Sequence, residues 1–319
     1  MSRRPLEKLT LALAISFAAC VPQRAPAAGA AEPTPSRTAA PAATPSPSVS
    51  TQASTATLVG AGDIASCDSP GAAQTAKLVE AIPGTVFTAG DDAYERGTER
   101  EFADCYAPTW GRFRDRTRPA PGNHDYETAG AAGYFAYFGA AAGERGKGYY
   151  SYDLGAWHIV VLNSECAFVG GCGLSSPQLQ WLNADLTARA SRCALAIWHH
   201  PRFSSGAEHG SDPTYDAFWR VLYERGVDVV INGHDHEYER FAPQTPDAKR
   251  DDARGIREFV VGTGGRSLYA VKAPLANSEV LRNDTFGVLQ LTLRLDGYDW
   301  KFVPVAGSTF TDAGSAACH

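Results

Sequence analysis

Five short segments of the chain bring together side chains that hold cations and move protons. They are Gly62-Asp63-Ile64-Ala65, Gly90-Asp91-Asp92-Ala93-Tyr94, Gly122-Asn123-His124-Asp125, Ala196-Ile197-Trp198-His199 and Gly233-His234-Asp235-His236. Carboxylate and amide oxygens are hard donors, and imidazole suits ions such as zinc and iron. The set can therefore supply two metal ions with one shared ligand. Two such ions clamp the attacking and leaving oxygens of an in-line displacement at phosphorus, so phosphoester hydrolysis is the implied chemistry. Taken singly, each segment reads as a loop, because Asp, Asn and Gly populate turns. The histidines resist that reading. Of the eight in the chain, His124, His199, His209, His234 and His236 fall in these segments or just beyond one, with His200 adjacent.

Each segment follows a short apolar run, at 57–61, 85–89, 118–121, 194–198 and 227–232, and runs of this length fit buried strands. Helical spacing fills several intervals. The spacing predicts a helix over 72–82. Ser176-Pro177 and Asp212-Pro213 each put a capping side chain before a proline at the first helical position, predicting helices over 176–190 and 212–225. Residues 149–163 read as two strands around Gly155, and 256–262 and 285–305 as further strands with Gly297 in a turn. The order is β-α-β first and more antiparallel at the end, a mixed-sheet α/β sandwich. Ligands of open α/β sheets bind outside the carboxyl ends of strands, which is where the five segments fall.

In this order the five segments resemble the motifs of the calcineurin-like metallophosphoesterases, and within them the purple acid phosphatase group. The run His234-Asp235-His236-Glu237-Tyr238-Glu239-Arg240 adds to the likeness, and Ala207-Glu208-His209-Gly210 is similar to a segment of small purple acid phosphatases. The resemblance covers about 57–305. Its departures, Ala65 for a glycine and Ala196 for a valine, remove no ligand side chain. It implies a four-layer α/β sandwich of two mixed β-sheets flanked by helices. It also implies one metal on Asp63, Asp91, Tyr94 and His236 and another on Asp91, Asn123, His199 and His234, with Asp91 bridging. His199-His200-Pro201 leaves two registers open, with either His199 or His200 pointing inward.

Tyr94 stands where the wider family often carries another Asp. A phenolate there suits Fe(III), so the implied cofactors are two metal ions, Fe(III) plus a divalent iron, zinc or manganese; the alternative is a tyrosine that only packs. The implied reaction is hydrolysis of a phosphate ester by hydroxide generated at the metals. Asn123, His124 and His209 would bind the substrate, and His124 or His209 would protonate the leaving group. For His209 the alternative is an exposed loop histidine. A phosphomonoesterase is the favoured activity. A phosphodiesterase or nucleotide pyrophosphatase at the same site is the alternative, and a non-catalytic surface lipoprotein is a third reading. The expected partner is a small phosphorylated substrate, selected by loops such as 94–118, 126–148, 202–212 and 265–284.

Lys and Arg number 29 against 35 Asp and Glu, a net charge of −6. That balance argues against a nucleic-acid partner, which demands a basic surplus. Residues 1–20 have a basic start, an apolar stretch and small residues at the end, the pattern of an export signal. Phe17-Ala18-Ala19-Cys20 resembles a bacterial lipobox, which makes Cys20 a lipidation candidate; a plain secretion signal is the alternative. Residues 21–57 hold 11 Ala, 7 Pro, 5 Ser and 6 Thr and no aromatic residue, the composition of a disordered linker. The expected organisation is a signal at 1–20, a linker at 21–57, a catalytic domain at 58–305 and a tail at 306–319. The chain would be exported, secreted or held at the envelope through a lipid, with its oligomeric state open. Six cysteines follow Cys20, an even set that suits disulfides outside the cytoplasm. Cys166 and Cys172 enclose a glycine-rich loop, and Cys67 and Cys105 both follow ligand loops. Cys193 and Cys318 remain. Fifteen pairings are possible in principle.

Overall fold

The computed structural model describes residues 55–319. The signal segment, the lipidation candidate Cys20 and the linker up to residue 54 lie outside the described residues. The thirteen strands are β1 (Ala56–Ala61), β2 (Thr85–Ala89), β3 (Thr117–Ala120), β4 (Tyr150–Leu154), β5 (Trp157–Val161), β6 (Cys193–Ile197), β7 (Val229–Asn232), β8 (Tyr238–Phe241), β9 (Arg257–Val261), β10 (Ser278–Arg282), β11 (Gly287–Leu293), β12 (Gly297–Pro304) and β13 (Ala313–Ala317). The α-helices are α1 (Gly71–Ala81), α2 (Glu99–Glu101), α3 (Asn123–Tyr126), α4 (Ala132–Phe138), α5 (Pro177–Ala188) and α6 (Asp216–Glu224).

The strands form two mixed sheets. The first has the order β13-β12-β11-β1-β2-β3 and the second β10-β8-β9-β7-β6-β5-β4. Parallel pairing runs through β1, β2 and β3 in one sheet and through β5, β6, β7 and β9 in the other. The strands added last by the sequence, β11, β12 and β13, pair antiparallel. Pro119 lies in β3, an edge strand, where its missing N–H removes no ladder bond from the sheet interior.

Burial of both faces explains why β5, β6 and β7 are apolar at every position but His158 and Asn232. Ile159, Val161, Leu195, Ile197, Val229 and Ile231 join the core between the sheets, together with Leu58, Phe87, Leu291 and Phe302. The residues between them, Val160, Ala194, Ala196 and Val230, face the opposite way. They pack against Leu179, Leu182, Phe218, Trp219 and Leu222 of α5 and α6. Both faces are buried, the usual condition of parallel strands. Ser176 caps α5 by accepting from the Leu179 amide at 3.3 Å, with Pro177 at the first helical position, as the spacing predicts. The Asp212-Pro213 start forms a short 3₁₀ turn before α6, so the α-helix begins later than expected.

Two expectations are corrected here. Stretches 94–118 and 126–148 are largely helical rather than open loops. They hold α2, a π turn at Phe102–Tyr106, a 3₁₀ turn at Trp110–Arg116 and α4. Phe102, Tyr106, Tyr137 and Phe138 pack edge-on or stacked within this cap. Short helices built around aromatic residues leave no clean apolar period to read. The segment 306–319, read as a tail, carries β13, which pairs with β12 over Ala313–Ala317. Small residues and glycine hid this edge strand.

Among the described residues, disulfides join Cys67–Cys105, Cys166–Cys172 and Cys193–Cys318, with Cα separations of 4.9, 5.1 and 5.5 Å. The two cysteines around the glycine-rich loop pair with each other, as do the two that follow ligand loops and the two that remained. Cys67–Cys105 ties the loop after β1 to the π turn. Cys193–Cys318 ties the start of β6 to the last residues of the chain.

Candidate metal centre

The carboxyl ends of β1, β2 and β3 meet those of β6, β7 and β9, because the Gly62 amide donates across the sheets to the Val261 carbonyl at 2.9 Å. The Asp63 amide donates to the Gly90 carbonyl at 3.0 Å, locking two of the strand-end turns together. Asp63, Asp91 and His234 have positive φ values of 60°, 55° and 70°. Such conformations are sparsely populated by side-chain-bearing residues and cluster at functional sites. Gly122 has a steric reason: a Cβ there would lie 2.2 Å from Asp91 Oδ1.

The seven residues read as ligands converge on one place. Tyr94 Oη lies 2.8 Å from Asp63 Oδ1, 2.9 Å from Asp91 Oδ2 and 3.3 Å from His236 Nε2. On the other side His199 Nε2 lies 3.3 Å from Asp91 Oδ2, 3.1 Å from Asn123 Oδ1 and 3.2 Å from His234 Nδ1. Asp91 Oδ2 thus faces both groups. The second oxygen of each carboxylate is held by backbone: the His234 amide donates to Asp63 Oδ2 and the His124 amide to Asp91 Oδ1, both at 2.8 Å. Asp63, Asp91, Tyr94, His199 and His236 are buried, while Asn123 and His234 are half-buried on the open side.

Of the two registers at 199–200, the structure turns His199 inward. Its Nδ1 bonds to the Ala89 carbonyl at 2.8 Å, leaving Nε2 for the centre. His200 faces away from the carboxylates, with Nδ1 2.9 Å from Ser164 Oγ, and its ring stacks on Tyr215. His124 and His209 border the cluster. The His124 ring lies 4.4 Å from the Tyr94 ring and its Nε2 3.9 Å from Asp91 Oδ2. The His209 ring stacks on His234 at 3.9 Å. His158 lies elsewhere, in β5 between Asp153 and Asp185.

The electrostatics fit cations. Burial alone would raise the Asp91 carboxyl, but His199 and then His124 outweigh it and hold Asp91 well below the usual range. Burial also disfavours a charged His199, yet Asp91 and then Asp63 push its imidazolium above the ordinary range. Burial, then Asp63 and Asp91, raise the Tyr94 phenol far above its usual value. Its single proton cannot serve both carboxylate oxygens that face it, so one close O···O contact lacks a proton. A cation between them would remove that conflict and displace protons from both Tyr94 and His199. The donor separations of 2.8 to 3.3 Å also match the edges of a shell with bonds of about 2.1 Å. Oδ atoms of Asp63 and Asp91 and a ring nitrogen of His199 all lie within 4.8 Å of one another. The residues present therefore fit a metal centre.

Several residues at the site escaped the sequence reading. Ser267 Oγ lies 2.8 Å from His236 Nδ1 and fixes that ring with Nε2 toward the centre. Tyr269 stacks on His236 at 3.8 Å, nearly parallel. Arg266 lies over the Tyr94 ring at 5.3 Å and pairs with Glu95. All three follow β9, a sixth strand with its carboxyl end at the site. The Gly264-Gly265 pair after an apolar run was the available signal.

Known proteins resemble this chain in sequence and in fold. A family model described as calcineurin-like phosphoesterase matches residues 57–238. Purple acid phosphatase 15 of Arabidopsis thaliana is 30% identical over 200 residues, covering 51% of this chain and 37% of that protein. Acid phosphatase type 7 of Homo sapiens is 30% identical over 172 residues, covering 46% and 39%. The chain spans about half or less of the length of these relatives. A purple acid phosphatase from yellow lupin (Lupinus luteus) seeds superposes with a TM-score of 0.64 at 19% identity, over 83% of this chain and 54% of that one. GAP50, the anchor in the inner membrane complex of Plasmodium, superposes at 0.61 with 15% identity, over 83% and 89%. With the motifs in order, their side chains converged and the family match over more than half its length, the chain belongs to the calcineurin-like phosphoesterase family.

Proposed function

We propose that this chain is an exported, two-metal phosphoric ester hydrolase acting on phosphate monoesters. The convergence of Asp63, Asp91, Tyr94, Asn123, His199, His234 and His236 carries the reading. Asp63, Asp91, Tyr94 and His236 would hold Fe(III), and Asp91, Asn123, His199 and His234 a divalent iron, zinc or manganese ion. Ions bound there supply a water of lowered pKa and positive charge against the phosphoryl oxygens. The remaining work falls to the chain. The half-buried side holding Asn123 and His234 is where a phosphate can enter. His124 and His209 stand at the borders of the cluster, placed to bind the ester and to protonate the departing oxygen. Similarity to acid phosphatases favours monoesters, and three disulfides favour an oxidising compartment.

GAP50 shares the fold as an anchor, so fold alone does not decide for catalysis. The complete donor set favours the enzyme. Metal analysis with a visible spectrum, followed by hydrolysis of mono- and diesters across pH, tests the proposal. Two metals per chain, a tyrosinate-to-iron band and faster monoester turnover are expected. A colourless, metal-free and inactive protein overturns it.

A further inference from the structure

The segment that carries His234 and His236 also carries three buried carboxylates that face away from the centre: Asp235, Glu237 and Glu239. All three bind one stretch of chain, 204–210, which bears His209: Asp235 and Glu239 take backbone amides, and Glu237 meets only the Ser204 hydroxyl. The Gly210 amide donates to Asp235 Oδ2 at 2.9 Å and the His209 amide to Asp235 Oδ1 at 3.3 Å. Ser204 Oγ donates to Asp235 Oδ2 at 2.5 Å and in turn accepts from the Gly206 amide at 2.9 Å. Glu237 Oε1 lies 3.2 Å from the same hydroxyl. Glu239 accepts from both the amide and the hydroxyl of Ser205, at 2.8 and 2.6 Å. The loop presses onto Asp235 so closely that a Cβ at Gly206 would lie 2.2 Å from its carboxyl carbon.

We propose that Asp235 is the positioning residue for His209. The inference rests on the reading above, in which His209 serves the leaving group. His209 is exposed, and its ring meets the site by stacking on His234 and lying edge-on to Tyr269 at 5.8 Å. Such a side chain is placed by its backbone, and Asp235 grips that backbone at His209 and at the next residue. His234 and Asp235 are chain neighbours pointing opposite ways, so the ligand and the grip share one peptide unit. Displacement of a reacting group by about 1 Å costs on the order of 100-fold in rate, which gives the grip its value.

Asp235→Asn keeps the shape but swaps one acceptor oxygen for a donor, so one of the two amides loses its partner. Hydrogen exchange at the His209 and Gly210 amides is expected to quicken more than about tenfold, with the Gly233 and His236 amides unchanged. Turnover of an alkyl phosphate, whose leaving group needs a proton, should fall about 10- to 100-fold. Turnover of 4-nitrophenyl phosphate should change less than about threefold. Metal content should stay at the native level. In a His209→Ala background, Asp235→Asn should add no further loss. Ser204→Ala, which removes one prop of the carboxylate, should give a weaker form of the same pattern and stands in if Asp235→Asn fails to fold. Unchanged exchange at both amides, equal losses for the two esters, or an additive loss on His209→Ala overturns the inference. If the native protein hydrolyses neither ester, the proposed function fails, and the exchange measurement alone decides whether Asp235 holds the loop.

Discussion

Single side chains here are set by what lies behind them. His236 can aim Nε2 at the centre because Ser267 occupies Nδ1. Outer partners of this kind typically alter metal affinity 10- to 100-fold when removed. Ser267→Ala is therefore expected to weaken metal binding by about that factor, read by competition with a chelator, without loss of secondary structure. Away from the site, His158 lies 2.8 Å from Asp153 and 2.7 Å from Asp185. The bond to Asp185, helped by Asp153, outweighs burial and raises His158. Burial pushes Asp185 up, but His158 and Ser151 reverse this and hold it low. The raised histidine contributes stability that is fully present below the ordinary imidazole value and is lost as pH climbs through the raised one. The lowered aspartate contributes above the ordinary carboxyl value and is lost as pH falls through the lowered one. His158→Asn should thus cost most between about pH 4 and pH 6.5, and less at higher pH. Urea midpoints of both proteins across that range check the sign. Asp153 is mostly exposed, so Asp185 is the partner that matters.

At the scale of elements, the turns after the strands do the positioning. Each ligand loop is short, leaves a buried strand and meets another loop edge to edge. Gly122 is the cap residue before α3, and a Cβ there would lie 2.2 Å from Asp91 Oδ1. Gly122→Ala forces a methyl group onto Asp91 Oδ1 and must move either the Asp91 carboxylate or the Asn123 turn. Metal stoichiometry by elemental analysis is expected to fall below the native value, with hydrolysis reduced more than about tenfold, while circular dichroism stays native. Native stoichiometry and activity would refute the close approach. The helices α5 and α6 act at a distance: they bury the outer faces of β5, β6 and β7 and so keep His199 and His234 in register.

Over the molecule as a whole, the two sheets are held by a shared core and by links between distant parts of the sequence. Cys193 and Cys318 join positions 125 residues apart. Near them, buried Asp228 accepts from the amides of Ala194 and His319, each at 2.9 Å. The link closes the end of the chain onto β6, at the strand end opposite His199. Replacing both cysteines by serine should lower stability by about 2–5 kcal/mol, measured by urea unfolding. Metal content should be unaffected, because the bond lies at the far end of β6, roughly 20 Å from His199 by strand rise.

The local signals were strong where chemistry is local. Motif order, strand ends, the cap of α5 and the close Cys166–Cys172 pair follow from short stretches of residue types, because hydrogen-bonding and steric demands act over a few positions. The cap over 94–142 was hidden by short aromatic helices without a period, and β13 by its small residues. What only the tertiary structure decided is proximity. Residue type says that His199 or His200 can bind a metal. The pairing of β6 between β5 and β7 decides that His199 faces Asp91 and His200 faces Ser164. Ser267, Tyr269 and Asp235 carry no motif of their own, since their significance is a distance to a histidine or a loop. Ligand types are written in the chain one residue at a time, whereas their partners are assigned only when strands far apart in sequence lie side by side.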